Sequence, residues 1–284
     1  MIRITYNLIK PMETEKEQSK KRDFLLPGSI LVAALLVSIA LVYSAGKKSN
    51  NNLSANIAGN VNQQNQPAPA QINIKTVSAA DHIYGDSNAP IQIVEFSDLE
   101  CPFCKNFQPT LKQIVDSSQG KAVWIYRQYP IAQLHPKAEK EAEAAECANE
   151  LGGNDKFWAF IDKVFEVTPS NNGLDPALLP QIAVQIGLDQ TKFNTCLSSG
   201  KYASFITESI TAAQAAGANG TPYSVVVLKS PLDKTVLNLI NAANAQTPSQ
   251  YPLFTISADK TKFSINGALP AEQLKPIFDA LTKS

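Results

Sequence analysis

Cys101 and Cys104 stand with two residues between them, where a strand ends and a helix begins. Residues 90–97 are rich in β-branched and apolar side chains and read as a strand. Residues 102–115 then carry Phe103, Phe107, Leu111, Ile114 and Val115 at helical spacing, with Pro109 expected to kink or interrupt the helix. The pair is thereby placed on a strand-to-helix junction, the leading cysteine beside the unpaired backbone N–H groups of a helix N-terminus, where a thiolate is favoured. A lowered pKa raises the thiolate fraction of Cys101 and makes it a better leaving group, and Cys104, one turn further in, is expected to be the buried resolving thiol. The same spacing serves zinc knuckles, but zinc would want a second close pair. Cys147 and Cys196 are 49 residues apart in helical patterns, so no metal site is expected.

The rest of the chain supplies the frame. A second strand over 123–129 completes a β-α-β unit with a parallel pair. Residues 136–216 read as an all-helical insertion, with helices at 138–151, 156–167, 176–186, 190–198 and 202–216 separated by Gly, Pro, Asn or Asp. Strands are expected again at 223–228, 253–257 and 262–265, and an amphipathic helix at 270–281. No internal repeat is visible. The fold class is α/β. Within the insertion, Cys147 and Cys196 can face one interhelical core, and a structural disulfide between them is the expectation; two free core cysteines are the alternative.

Ahead of this frame, residues 24–43 are 20 residues without a charge. A helix of that length covers the roughly 30 Å hydrocarbon core at about 1.5 Å per residue. Lys16, Lys20, Lys21 and Arg22 precede the run and Lys47 and Lys48 follow it, so the positive-inside bias favours a cytoplasmic N-terminus. The expected order is a cytoplasmic segment 1–23, a transmembrane anchor 24–43, a flexible polar linker 44–73 and a folded domain 74–284. A cleaved signal peptide is the alternative, although the run exceeds the usual apolar core of about 7 to 15 residues. Met12 is a second candidate start that leaves the topology unchanged. Placed this way, the domain faces outward from a bacterial-type cell membrane on a single-pass anchor. Lys plus Arg and Asp plus Glu both number 25, so no net field draws the molecule to nucleic acid, and no nucleic-acid partner is expected.

Val94-Glu95-Phe96-Ser97-Asp98, then Cys101-Pro102-Phe103-Cys104-Lys105, then Gly220-Thr221-Pro222 before a strand, resemble the DsbA-like branch of the thioredoxin superfamily. The likeness extends over about residues 78–228 and the last helix, including Ala144-Ala145-Glu146-Cys147-Ala148 and Phe157-Trp158. It implies a thioredoxin-like fold with the helical domain inserted, and an oxidoreductase whose only redox group is the Cys101–Cys104 disulfide. It also implies that Thr221-Pro222 forms a cis-proline turn facing the disulfide, so that Pro102, Phe103, Thr221 and Pro222 meet the substrate, and that Glu95 is a buried acid exchanging a proton as Cys104 changes state. The expected partners are thiol-containing unfolded or secreted proteins and a membrane quinone-linked thiol oxidase that recharges the pair. Two other readings stay open: an isomerase or reductase kept reduced by a membrane electron donor, and a tethered binding or chaperone module without turnover.

Phe103 departs from the best-known periplasmic oxidant of the family, which has His there. Without that imidazole, thiolate stabilisation rests on helix N–H groups, and a weaker oxidant is expected. Asp98 and Glu100 read as solvated loop charges, His135 as a loop residue and Arg127 as a surface strand charge; none is assigned to catalysis. Apolar residues between 232 and 243 suggest a helix in the 229–252 segment, where a tight hairpin is usual for the family, bordering the active face.

Overall fold

The computed structural model describes residues 71–283; the expected cytoplasmic segment, the anchor 24–43 and the linker up to residue 70 lie outside the described residues. Among the described residues no helix is long and apolar enough to cross a membrane. The packed chain begins earlier than residue 74: Ile72 is buried against Ala89, Val94 and Tyr223 in one core cluster, so the linker boundary moves back by at least two residues.

Among the described residues six strands form one sheet: β1 His82–Gly85, β2 Ile91–Ser97, β3 Ala122–Gln128, β4 Tyr223–Leu228, β5 Phe254–Ile256 and β6 Lys262–Asn266, in the order β1-β3-β2-β4-β6-β5. β2 and β3 are parallel, with Ile91 opposite Ala122 and Ser97 opposite Gln128; the other pairs are antiparallel. β1 was not anticipated from sequence. It is four residues long and is held at the sheet edge by His82, whose Nε2 donates to the Glu146 carboxylate at 2.9 Å while the ring stacks on Phe157.

Side-chain alternation on β2 divides the core. Ile91 and Ile93 face one cluster with Trp124, Val226 and Phe263, whereas Val94 and Phe96 face the other with Val123, Ile125 and Val225. Arg127, on the second face of β3, is not the surface charge expected: it is buried and grips Asp81 through Nε and a guanidinium NH2 at 2.7 and 3.1 Å. A planar fork matched to a carboxylate compensates both desolvated charges.

Helix α1, Pro102–Ser117, follows β2 and packs Phe107, Leu111, Ile114 and Val115 onto the first face. Pro109 does not interrupt it; the proline is exposed on the solvent side of the helix. The two helices expected at 138–151 and 156–167 are one element, α2 Ala138–Val167, jointed at Gly153, whose φ of 74° is a conformation that suits glycine. α3 Leu178–Gln185, α4 Gln190–Ser199 and α5 Ala203–Ala215 complete the insertion. α2 and α4 are joined by the Cys147–Cys196 disulfide.

The 229–252 segment does contain a helix, α6 Lys234–Asn244, capped by Asp233 accepting from the Val236 amide. It leaves β4 at the end of the sheet remote from the cysteines: Leu228 pairs with Ile91 at the start of β2, whereas the motif follows its last residue. The helix buries Val236 and Ile240 in the core with α7, Ala271–Leu281. Completing that core, rather than walling the active face, is what its apolar residues do.

Candidate active site

Cys101 is the N-cap residue of α1, with extended backbone (φ −79°, ψ 121°), and Pro102 opens the helix at a position where its missing N–H costs nothing. The turn that delivers it from β2 is closed by the Cys101 amide donating to the Asp98 carbonyl at 3.1 Å. Both cysteines are free thiols here and both are buried; Cys101 keeps 4 % of its surface exposed and Cys104 none. The Cys101 thiol donates to the Thr221 carbonyl at 3.4 Å, and the Thr221-Pro222 bond is cis, which puts the turn before β4 directly against the reactive sulfur.

The two sulfurs are unequal. Hydrogen bonding from the Cys104 thiol, against the opposing effect of burial, pulls the Cys101 pKa down to about 6, with smaller help from the Thr221 side chain and the backbone N–H groups of Cys104 and Phe103. Burial, followed by that same donation to Cys101, pushes the Cys104 thiol well above its ordinary range. The helix amides therefore contribute, but the neighbouring thiol contributes most, which corrects the emphasis drawn from sequence.

Glu95 lies on the β2 face shared with Ile91 and Ile93, beside Tyr126 of β3 and Ser224 of β4 in the register. It is 1 % exposed, and among the described residues its carboxylate oxygens have no well-formed hydrogen bond, the hydroxyl of Ser97 and the indole N–H of Trp124 being the nearby donors. Burial raises its pKa to about 8, opposed by Ser97 and Trp124 and reinforced by the charge of Cys101. Its own charge acts in turn on Cys104, raising that thiol further. A carboxylic acid that stays neutral near neutral pH and is electrostatically coupled to Cys104 has the properties of a proton donor to the thiolate that Cys104 becomes when the disulfide opens.

Asp98 and Glu100 are not solvated: they are 1 % and 0 % exposed. Asp98 accepts from the Glu100 amide at 2.8 Å, the Ile131 amide at 2.9 Å and His135 Nδ1 at 2.9 Å, and its own backbone N–H points at Cys104 Sγ at 3.5 Å. Glu100 accepts from the amides of Asn172 at 2.8 Å and Leu174 at 3.1 Å. His135 is a loop residue, but a buried one tied to the redox turn. Behind them Glu141 of α2 is held protonated to about pH 9, chiefly by burial and then by Glu100. The sequence signal for this cluster was present in the Asp98-x-Glu100 pair immediately before Cys101 and in His135-Pro136, but nothing local marks such charges as buried.

Phe103 is 63 % exposed, Pro102 and Thr221 are half-buried and Pro222 is buried, so the aromatic ring of the motif stands out beside the nearly covered Cys101. Among the described residues no group of three or more His, Cys, Asp and Glu could hold a metal ion.

A family model described as Thioredoxin matches residues 77–228, more than half of the chain. The structure is similar to that of DsbA2 from Pseudomonas aeruginosa, at 28% identity and a TM-score of 0.53, covering 74% of this chain and 98% of that one. BdbD from Bacillus subtilis, in its oxidised form, shares the fold at 20% identity and a TM-score of 0.52, covering 72% and 94%. By sequence, the Na(+)/H(+) antiporter NhaA 3 of Salinispora tropica is 34% identical over 143 residues, which are 50% of this chain and 21% of that protein. The chain therefore spans about a fifth of the length of that relative.

Proposed function

The chain belongs to the DsbA-like thiol:disulfide oxidoreductase family of the thioredoxin superfamily, and on that premise we propose that it forms disulfides in secreted or envelope proteins from a single-pass anchor on the outer side of a cell membrane. One observation carries the redox reading: two sulfurs at one helix N-terminus, the outer held towards thiolate and the inner held towards thiol.

The exchange runs as follows. In the oxidised protein a substrate thiolate attacks Cys101 Sγ, the Cys101–Cys104 bond breaks, and Cys104 leaves with the electron pair and takes up a proton, for which Glu95 is the nearby source. A second substrate thiolate then attacks the substrate sulfur of the mixed disulfide. Cys101 departs as a thiolate, a good leaving group because its pKa is low. The substrate gains one disulfide, losing two electrons and two protons, and the protein pair gains two electrons. A membrane quinone-linked thiol oxidase accepts those electrons and restores the disulfide. No cofactor beyond the cysteine pair enters this scheme.

Two features support an outward placement. Residues 24–43 form a charge-free run with the basic excess on its N-terminal side. The Cys147–Cys196 disulfide is a bond that persists in oxidising compartments and is rare in reducing ones. The test is trapping with Cys104→Ala in cells: secreted proteins should accumulate as mixed disulfides on Cys101, and the wild-type pair should be found oxidised. A wild-type pair found wholly reduced would reverse the direction to isomerase or reductase, and an absence of mixed disulfides would leave a binding module.

A further inference from the structure

Asp98 and His135 take no part in the exchange as written, yet the backbone of Asp98 meets both cysteines of the redox motif. Its backbone N–H points at Cys104 Sγ, its carbonyl accepts the Cys101 amide, and its carboxylate gathers His135 Nδ1 at 2.9 Å with the amides of Glu100 and Ile131. Both side chains are buried, so water and salt screen their charges weakly. A lone carboxylate three residues from Cys101 would oppose a thiolate there. We propose that His135 is a positioning residue for the redox pair, an imidazolium locked onto Asp98 that cancels the carboxylate's field at Cys101 and so favours the dithiol state. This rests on Cys101 and Cys104 being the redox pair, and it says what sets their poise.

Asp98 and the Cys101 thiolate both raise the proton affinity of His135, against burial, which is the largest influence and acts the other way. Coupling between two titrating groups is reciprocal, so the protonated imidazole favours the thiolate by an equal amount. The other charged groups around this pair are accounted for. Glu100, on the same turn, is tied to the Asn172 and Leu174 amides. Glu141, on α2, stays neutral to about pH 9. Lys137, just before α2, spends its ammonium on the carbonyls of Asn172 and Leu174, at 2.7 and 2.8 Å. Asn171, from the segment after α2, is polar but uncharged. His135 is thus the cation paired with Asp98. Phe103 brings no charge to Cys101, and this cation arrives instead from a loop more than thirty residues on.

The experiment uses the full chain and reads two quantities: the pH titration of the Cys101 thiolate by its absorbance near 240 nm, and the equilibrium of the pair with reduced and oxidised glutathione. A wild-type protein that does not equilibrate with glutathione refutes the redox reading itself, whatever the variants do. Given that it does, His135→Gln should raise the Cys101 midpoint by about half a unit to one unit and move the equilibrium roughly threefold to tenfold towards the protein disulfide. The double variant Asp98→Asn with His135→Gln, which removes both charges, should return both values close to wild type. Unchanged values in His135→Gln, or no restoration in the double variant, overturn the proposal. A readout without variants stands beside it: histidine proton NMR should give a higher pKa for His135 in the reduced protein than in the oxidised one, and equal values in the two states also overturn it.

Discussion

The thiol of Cys104 hydrogen-bonds to the sulfur of Cys101, and this contact does more to hold Cys101 as a thiolate than the helix amides beside it. An oxygen donor can make the same bond, whereas a methyl group cannot. Cys104→Ala should therefore move the Cys101 midpoint up from about 6 towards the ordinary thiol range, and Cys104→Ser should keep most of the depression. The rate of iodoacetamide labelling against pH measures both. Equal midpoints in the two variants would return the main role to the backbone N–H groups.

Glu95 links the site to stability. Its folded pKa of about 8 lies above the ordinary value of 4.5, so between those limits the folded state binds more protons than the unfolded state. Stability from this group is complete below pH 4.5 and is lost as pH rises to about 8, at about 1.4 kcal/mol per pH unit at the steepest. Glu141, with a folded pKa of about 9, acts with the same sign and continues in any Glu95 variant. Subtracting the denaturation curves of Glu95→Gln from wild type across pH 4 to 9 isolates the Glu95 share. The variant should be the more stable near pH 7.5 and lose its advantage towards pH 4, while Cys104 resolves mixed disulfides more slowly in it.

The sequence exposed the redox junction because two signals coincide there: the run of β-branched and apolar residues ending at Ser97 gives way to helical spacing across the cysteines. Glu95 stood out as an acid inside an apolar strand. Asp98, Glu100 and His135 did not stand out, because their burial is made by distant chain: apart from the Glu100 amide on Asp98, the amides that satisfy the two acids come from Ile131, Asn172 and Leu174. Burial supplied by segments 33 to 74 residues away has no local signature. β1 was hidden for a related reason: with four residues, it is defined by its pairing with β3 and by the His82–Glu146 contact rather than by its own pattern. Arg127 was misplaced because a charge in a strand suggests solvent unless its partner, here Asp81, is known.

The disulfide between α2 and α4 should matter for stability and little for the redox pair. It closes a separation of 49 residues, for which restriction of the unfolded chain gives about 4 kcal/mol as an upper figure. Replacing both Cys147 and Cys196 by Ala, so that no lone thiol remains to scramble, should lower the denaturant midpoint accordingly. The pH titration of Cys101 should be unaltered, because the pair lies in the helical insertion and is absent from the groups that shift the Cys101 thiol. A displaced titration would mean that the packing of α2 reaches the redox turn, by way of Glu141 and Glu100.

Phe103 offers the most direct control of redox poise. Its ring is 63 % exposed, so exchange for His is sterically open and costs little core packing. An imidazole there would sit two residues from Cys101 at the same helix N-terminus, where it favours the thiolate while protonated and can donate a hydrogen bond to the sulfur when neutral. Phe103→His should lower the Cys101 midpoint below about 6 and shift the glutathione equilibrium towards the dithiol, giving a stronger oxidant. Because His135 already compensates Asp98, the new cation adds to a field that is near neutral, and the shift should survive in a His135→Gln background with similar size. If Phe103→His leaves the equilibrium constant where it was, the side chain at this position does not govern the poise of the pair, and the difference expected from the motif disappears with it.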